Sequence, residues 1–331
     1  MTLKGGSAGY SPNLLILIAY FSFVSIGIQT SLLGIAWTGP EGPEYLSRTF
    51  RQPLDGVGQL LAAGTLGYFL VSAVSGRLVQ RFGVGRVLAF SMLAAALALG
   101  AFPFAPYWGM VVLAAFVHGA GSGLMDATMN IYFAAHHGVR LMNWLHACFG
   151  IGTTIGPFVI STSLAQTGSW RTGYMVAACV HGTAALLYFL SQRSWAGPRP
   201  VGSDPPQKVR AKETLRLPLV WVGIGLFLAY TGLGMSMGQW GYALFSLARG
   251  VPEMTAAQWV SLYWGSFTAG RILFGAIGER FVLEKLIKTC LLGALASSLL
   301  LVFSGASAWT PLAVVLFGVS ISPIWAMLIV H

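Results

Sequence analysis

The chain has 331 residues, of which 56% are hydrophobic and only 8% are charged. A soluble globular domain carries roughly 25% charged residues, so this composition excludes a cytosolic enzyme, a disordered chain and a nucleic-acid-binding module. The net charge of +10 lies in short loops between apolar stretches rather than on one basic face. We therefore expect an all-α polytopic protein whose surroundings are the lipid bilayer and which has no nucleic-acid partner.

Ten stretches are apolar and long enough to be membrane helices, which need about 20 residues each. In chain order, the predicted helices span residues 13–36, 57–77, 86–103, 108–134, 141–165, 170–191, 218–246, 256–277, 287–303 and 311–330. Two double-length apolar stretches are divided, one near Pro103 and Pro106 and the other near Gly305.

The basic residues predict the orientation of these helices. With the N-terminus in the cytoplasm, 14 of the 19 Lys and Arg residues fall in inner segments and four fall in outer segments. This asymmetry favours a multi-pass protein of the cell membrane with a cytoplasmic N-terminus. Residues 192–217 contain four prolines and several basic residues, which indicates a cytoplasmic linker. The linker separates a six-helix half, residues 1–191, from residues 218–331.

An internal repeat relates the two sides of the linker. The pattern Gly-x-x-x-(Gln/Glu)-Arg-Phe begins at Gly76, at the inner end of helix two, and again at Gly275, at the inner end of helix eight, an offset of 199 residues. The same offset places Gly119 of helix four on Gly318 of helix ten. Repeated halves are typical of membrane transporters. The repeat therefore predicts a second six-helix half of which helices seven to ten are present, and we expect two further helices in a complete half.

Two halves of six helices around a cytoplasmic linker resemble the major facilitator superfamily, and the turn after helix two resembles the signature loop of that superfamily. The residues at the loop positions are Gly76, Arg81, Gly83 and Arg86, and in the second copy Gly275, Glu279 and Arg280. Gln80 stands where the family usually has Asp, whereas Glu279 restores a carboxylate in the second copy. The resemblance implies that both loops act in gating.

A narrower resemblance concerns helices four, five and seven. Gly121-x-Gly123-x-x-Asp126-x-x-x-Asn130, followed by the polar start of helix five, is similar to the fucose-permease branch of the superfamily. Helix seven adds a Gly-rich segment ending in Gly238-Gln239-Trp240, although many relatives have Glu where this chain has Gly234. The resemblance implies a sugar as the transported solute.

Asp126 is the acidic residue with the sharpest functional signal. Of nine acidic residues, it alone lies well inside an apolar helix, where insertion of Asp costs about 2.5–3.5 kcal/mol. A carboxyl group that exchanges a proton while a cavity opens to either side can couple protons to a solute. The alternative is a structural Asp that hydrogen-bonds a neighbouring helix.

Three further polar residues accompany Asp126 on helices four and five. Asn130 follows it by four residues on the same helical face, and Asn143 and His146 begin helix five. Because helix five runs back along helix four, the four side chains can form one cluster, in which His146 relays protons. For His146 the alternative is a packing residue with one hydrogen bond, and for Asn143 a residue that simply begins the helix.

The residues predicted to bind the solute carry amide, hydroxyl or aromatic groups, which suit a neutral polar molecule such as a sugar. They are Gln29, Tyr230, Gln239, Trp240, Tyr263 and Trp264. The alternative is that the aromatic residues anchor helices at the membrane interface. Arg271, inside helix eight, is interpreted as a structural residue whose stem reaches the interface.

Together these features predict a monomeric secondary active transporter that moves a small polar solute with protons by alternating access. The first alternative is a non-transporting or efflux-type relative of the same superfamily. The second is an intramembrane enzyme using His136, His137 or His146, which would lack a nucleophile–base pair. No phosphate-binding loop, metal-ligand set or paired-cysteine pattern is present in the sequence, so we expect no metal and no cofactor.

Overall fold

The computed structural model describes residues 10–39, 41–137, 139–195, 216–277 and 282–324, and these are almost entirely helical. The ten long helices are α1 (Pro12–Thr30), α2 (Val57–Phe82), α3 (Val84–Ala101), α4 (Trp108–His136), α5 (Val139–Thr167), α6 (Arg171–Ser191), α7 (Pro218–Ala243), α8 (Glu253–Ile277), α9 (Leu283–Phe303) and α10 (Trp309–Ile321). All ten predicted helices are therefore present in the described part of the chain.

Short helical pieces extend or connect the long helices. They are the α-helical turns Leu33–Trp37 and Leu46–Thr49, the 3₁₀ turns Leu54–Gly56, Phe102–Phe104 and Gln192–Trp195, and the π-helical turn Leu244–Ala248. Within the described ranges the extended backbone pairing consists of one isolated parallel bridge between Glu44 and Ser169. Eight helical spans are long and apolar enough to cross a membrane, from Pro12–Trp37 to Glu284–Phe303. Helices α8 and α10 complete the ten.

Two helix boundaries show how the sequence sets the ends of the elements. Helix α2 ends at Phe82, five residues beyond the predicted end, because Gly83 follows with a positive φ of 83°. Glycine adopts this conformation without the steric penalty of a Cβ. Helix α7 begins with Pro218 at its first position, where the missing N–H of proline leaves no intrahelical bond unmade.

The chain divides into two compact units. The first takes Met1–Ile26, Phe50–Cys148 and Tyr174–Val201, and it contains α2, α3, α4, α6 and the beginnings of α1 and α5. Its helices α2 and α4 pack closely through glycines. A Cβ at Gly119 would lie 2.7 Å from the carbonyl carbon of Gly64, and one at Gly123 would lie 2.7 Å from the carbonyl oxygen of Tyr68.

The second unit takes Gly27–Thr49, Phe149–Gly173 and Gly202–His331. Its helices α8 and α10 meet at Gly318, where a Cβ would lie 2.8 Å from the carbonyl oxygen of Tyr263. The 199-residue offset carries Gly119 onto Gly318 and also carries Gly64 onto Tyr263. The pairs α2–α4 and α8–α10 thus touch at equivalent points, in agreement with the internal repeat.

Candidate functional site

The carboxylate of Asp126 is held by a neighbouring helix of the first unit. The hydroxyl of Tyr68 on α2 donates a hydrogen bond to Asp126 Oδ2 at 2.6 Å. The close approach of α2 and α4 at Gly119 and Gly123 makes this contact possible, because Tyr68 lies one turn along from Gly64. Asp126 is half-buried, while Tyr68 is 40% exposed. The acid is therefore fixed in position without being sealed off.

Asp126 belongs to a column of polar residues along α4. His118, Ser122, Asp126 and Asn130 follow one another at four-residue intervals, so they share one face of the helix. Ser122 Oγ lies 3.2 Å from His118 Nε2. Asn130, predicted on this face, is half-buried.

His146, predicted to relay protons, lies on α5 in the same unit. It is half-buried, and its ring packs edge-on against Phe23, with the ring centroids 5.6 Å apart. The side chain of Asn143 lies outside the described residues. The predicted cluster that joins Asp126 to His146 therefore stays a prediction.

Two buried histidines of the first unit were missed by the sequence analysis. His118 on α4 is 7% exposed and His181 on α6 is fully buried, and their ring centroids lie 5.7 Å apart. The signal that could have found them was the one used for Asp126, namely an ionisable residue in the middle of an apolar helix. Their pairing could not be read, because it depends on how α4 and α6 pack.

In the second unit, Gln239 on α7 and Trp264 on α8 are both buried and each has a polar atom without a partner. The Gln239 amide nitrogen donates to the carbonyl oxygen of Thr30 at 3.1 Å, while its Oε1 has no hydrogen-bond partner, and neither has Trp264 Nε1. Trp264 packs against Gly238, the residue before Gln239, since a Cβ at Gly238 would lie 3.0 Å from Cε2 of the Trp264 ring. An unpaired acceptor and an unpaired donor are costly in a buried site, and a hydroxyl group can satisfy either of them.

The other predicted solute-binding residues of the second unit differ in their surroundings. Tyr263 is fully buried, and its hydroxyl donates to the carbonyl oxygen of Gly234 at 2.6 Å. Tyr230 accepts a hydrogen bond from Arg271 at 3.4 Å, and Arg271 also lies 4.4 Å from the ring centroid of Phe267. These contacts agree with a structural role for Arg271. Trp240 is 38% exposed and Gln29 is half-buried.

The predicted gating loop between α2 and α3 depends on glycine at Gly83. Its positive φ requires glycine, whereas the surroundings of Gly76 are open, with nothing within 4 Å of a Cβ added there. Arg81 lies over the ring of Phe82, and Arg86 is exposed. In the second copy Gly275 lies within α8, and Glu279 and Arg280 lie outside the described residues.

The loop between α1 and α2 contains a polar contact that the sequence analysis did not predict. Glu44 accepts hydrogen bonds from Ser169 at 2.7 Å, Thr49 at 3.0 Å and Arg171 at 3.3 Å. Burial raises the pKa of the Glu44 carboxyl, but the hydrogen bonds from Ser169 and Thr49 and the charge of Arg171 outweigh this effect and lower its pKa overall. This contact ties the α1–α2 loop to the α5–α6 turn.

The same loop contributes Tyr45, whose hydroxyl contacts two polar groups near the α7–α8 connection. It lies 3.0 Å from the Tyr242 hydroxyl and donates to Glu253 at 2.9 Å. Burial, reinforced by these two partners, raises the pKa of Tyr45. A cavity of about 120 Å³ adjoins Tyr242 and Glu253. It is smaller than the roughly 300–1,000 Å³ of a ligand pocket, so it suits water rather than a sugar.

Comparison with known proteins gives a family match over almost the whole chain. The family model described as Major Facilitator Superfamily matches residues 15–330. The chain is 22% identical over 323 residues to the human sodium-dependent glucose transporter 1, a match that covers 85% of this chain and 60% of that protein. It is 22% identical over 284 residues to the glucose/mannose transporter GlcP of Bacillus subtilis, covering 81% and 67% of the two chains. The chain thus spans about three fifths of the human relative.

Solved structures show the same fold at low sequence identity. The nucleoside transporter NupG superposes with a TM-score of 0.71 at 12% identity, covering 93% of this chain and 79% of that one. The E. coli fucose:proton symporter superposes with a TM-score of 0.62 at 17% identity, covering 95% and 83%. The second likeness agrees with the predicted resemblance to the fucose-permease branch and confirms the all-α polytopic fold.

Proposed function

Because the chain belongs to the major facilitator superfamily, we propose that it is a secondary active transporter that moves a small polar solute, a sugar, together with protons. Members of this superfamily are not enzymes, so the intramembrane-enzyme alternative is rejected. The names of its relatives support a sugar, since two of them are glucose transporters and one structural neighbour is a fucose:proton symporter.

The observation that carries the proton half of the proposal is the hydrogen bond between Tyr68 and Asp126. A carboxylate in an apolar helix is costly, and here a single hydroxyl donor at 2.6 Å compensates it in part. Protonation of Asp126 removes its charge, after which Tyr68 no longer faces a charged acceptor. Proton binding thus changes the contact between α2 and α4, and such a change can be linked to solute movement.

The solute half of the proposal rests on Gln239 and Trp264. Sugar hydroxyls can donate to Gln239 Oε1 and accept from Trp264 Nε1, which would pair both buried atoms that lack partners. Trp240 and Tyr230 offer further aromatic and hydroxyl contacts to the solute, and Gln29 offers an amide group. A solute that satisfies buried polar atoms is discriminated strongly from one that lacks the hydroxyl.

The remaining parts of the proposal concern organisation. We propose the division into an N-terminal half of residues 1–191, a cytoplasmic linker of residues 192–217 and a C-terminal half from residue 218, with the loops at Gly83 and Glu279 acting in gating. The protein is proposed to be a monomer in the cell membrane with its N-terminus in the cytoplasm, in accord with the distribution of basic residues.

The proposal is tested with the purified protein in two steps. First, a thermal-shift screen of hexoses, pentoses, deoxy-sugars and nucleosides identifies the solute, and we expect stabilisation by a sugar. Second, proteoliposomes loaded with a pH-sensitive dye measure uptake of that solute under a proton gradient, under a sodium gradient and under neither.

Accumulation with acidification of the lumen under the proton gradient supports proton symport. Accumulation only under the sodium gradient overturns the choice of coupling ion. Expulsion of solute in exchange for protons favours the efflux-type relative, and a protein that binds but never moves solute favours the non-transporting one.

A further inference from the structure

Three helices of the first unit meet around the buried pair His118 and His181. Ser25 on α1 contacts His181 on α6, with its Oγ 2.7 Å from His181 Nδ1. His118 on α4 lies beside His181, with 5.7 Å between ring centroids and 58° between ring planes. This histidine pair takes part neither in the Tyr68–Asp126 contact nor in the proposed solute binding.

The contacts of His181 favour one of its two neutral tautomers. Nδ1 lies 3.0 Å from the carbonyl oxygen of Ala177, which only accepts hydrogen bonds, so this contact favours a hydrogen on Nδ1, with the Ser25 hydroxyl at 2.7 Å as a second acceptor. In the neutral ring, Nε2 then presents a lone pair. This atom is buried and has no hydrogen-bond partner. The molecule therefore holds a basic nitrogen in its interior with its acceptor site unused.

His118 supplies a second imidazole beside the His181 ring. Its Nε2 lies 3.2 Å from Ser122 Oγ, a hydroxyl that can donate or accept. Two imidazoles at this separation can share one proton through one bridging water molecule, whereas two protons would place like charges side by side. The pair is thus suited to hold one proton at a time.

The surroundings contain few groups that compete for this proton. Among the described residues, the polar groups given as contacts of the pair are the hydroxyls of Ser25 on α1 and Ser122 on α4 and the carbonyl oxygen of Ala177 on α6, all of them neutral. On α6 itself, Tyr174 stacks on Phe102 of α3, and the Tyr188 hydroxyl lies 2.7 Å from Ser22 of α1. Two further titratable groups, Tyr68 of α2 and Asp126 of α4, lie away from the pair. They are hydrogen-bonded to each other, and Asp126 is two turns, about 12 Å, from His118 along α4.

We propose that His118 and His181 form a second proton-binding site, in which Nε2 of His181 takes up one proton and shares the resulting positive charge with His118. The incoming proton forms an N–H bond at the free lone pair, and no other bond breaks. Ser122 lies between His118 and Asp126 at the four-residue spacing of the α4 column. The proposed proton-binding site and the Asp126 carboxyl group therefore lie along the same face of α4. The role of the pair in coupling rests on the proposed function, whereas proton binding itself does not.

The direct test is ¹⁵N nuclear magnetic resonance of the purified protein with labelled histidine, titrated from about pH 8 down to about pH 3, a range wide enough for imidazoles in a buried site. We expect His181 to show a protonated Nδ1 and a free Nε2 at high pH, and to gain a proton on Nε2 as the pH falls. His118→Gln should change the proton affinity of His181 by about tenfold or more, as for coupled groups. His136→Gln is the matched control, since His136 is an exposed histidine of the same helix and should leave the titration unchanged.

Two results would overturn the proposal: a His181 that stays neutral throughout, or one that titrates with the same affinity whether or not His118 is present. Ser25→Ala provides a second variant that keeps both rings, and we expect it to alter the His181 signals without removing the titration. If the wild-type protein moves solute without protons, the proposed function fails, while the resonance titration still decides whether the pair binds a proton.

Discussion

Substituting Gly119 with Ala tests whether close packing of α2 and α4 positions the coupling acid. The added Cβ would lie 2.7 and 2.8 Å from the carbonyl carbon and Cα of Gly64, whereas carbon atoms pack at about 3.5–4.0 Å. The two helices must therefore separate by about 1 Å. This displacement would lengthen the distance between the Tyr68 hydroxyl oxygen and Asp126 Oδ2 from 2.6 Å to about 3.6 Å, which is too long for a hydrogen bond.

The stability change follows from the same clash. Overpacking of this kind costs about 1–3 kcal/mol, partly offset by the roughly 1 kcal/mol that Ala gains over Gly within a helix. Gly58→Ala is the matched control, because Gly58 lies in α2 outside the predicted gating loop and its Cβ would meet nothing within 4 Å. We expect Gly119→Ala to be the less stable variant by about 1–3 kcal/mol, and also the one with impaired gradient-driven uptake.

Unfolding can be followed with a thiol-reactive dye, since Cys290 is buried in the folded chain. Proteoliposome uptake measured on the same two variants reports the coupling defect. Equal stability and equal uptake in Gly119→Ala and Gly58→Ala would refute the argument that glycine contact sets the position of Asp126.

Three further predictions concern single residues. Glu44→Gln should destabilise the protein at neutral pH by less than about 1 kcal/mol, because Glu44 and Arg171 are 39% and 36% exposed. Folding lowers the pKa of Glu44, so its contribution to stability is present above about pH 4.3 and is lost as the pH falls through the lowered value. Thermal unfolding of the variant and the wild-type protein should therefore differ at neutral pH and agree in acid. Gly83→Ala should cost about 1–2 kcal/mol in the same unfolding assay because of its positive φ, and a neutral result would refute the strained turn. Trp264→Phe should weaken solute binding by about 3–10-fold, the value of one neutral hydrogen bond, measured by titration calorimetry, and unchanged affinity would remove Trp264 from the site.

The helices could be predicted from the sequence because apolar length alone determines them in a membrane. Helix α4 was predicted at residues 108–134 and observed as Trp108–His136. Asp126 could be singled out in the same way, since an acid inside an apolar helix stands apart from its neighbours. The internal repeat could be predicted too, because Gly119 and Gly318 are separated by the same 199 residues as Gly76 and Gly275.

The partners of these residues could not be predicted, because side-chain partners depend on how helices pack. Tyr68 lies in an unremarkable apolar stretch of α2, and nothing in its local sequence indicates that it faces Asp126. The same reason explains why the pairing of His118 and His181 was missed. The unpaired atoms of Gln239 and Trp264 likewise become visible only once the neighbours of each side chain are known.

The central claim is that Asp126 couples proton movement to solute movement, and Asp126→Asn tests it most directly. Asn keeps the shape of the side chain but does not exchange a proton. Uptake under an imposed proton gradient and exchange without a gradient should be measured side by side in proteoliposomes. We predict that Asp126→Asn abolishes accumulation while preserving solute exchange, and accumulation equal to that of the wild-type protein would contradict the account.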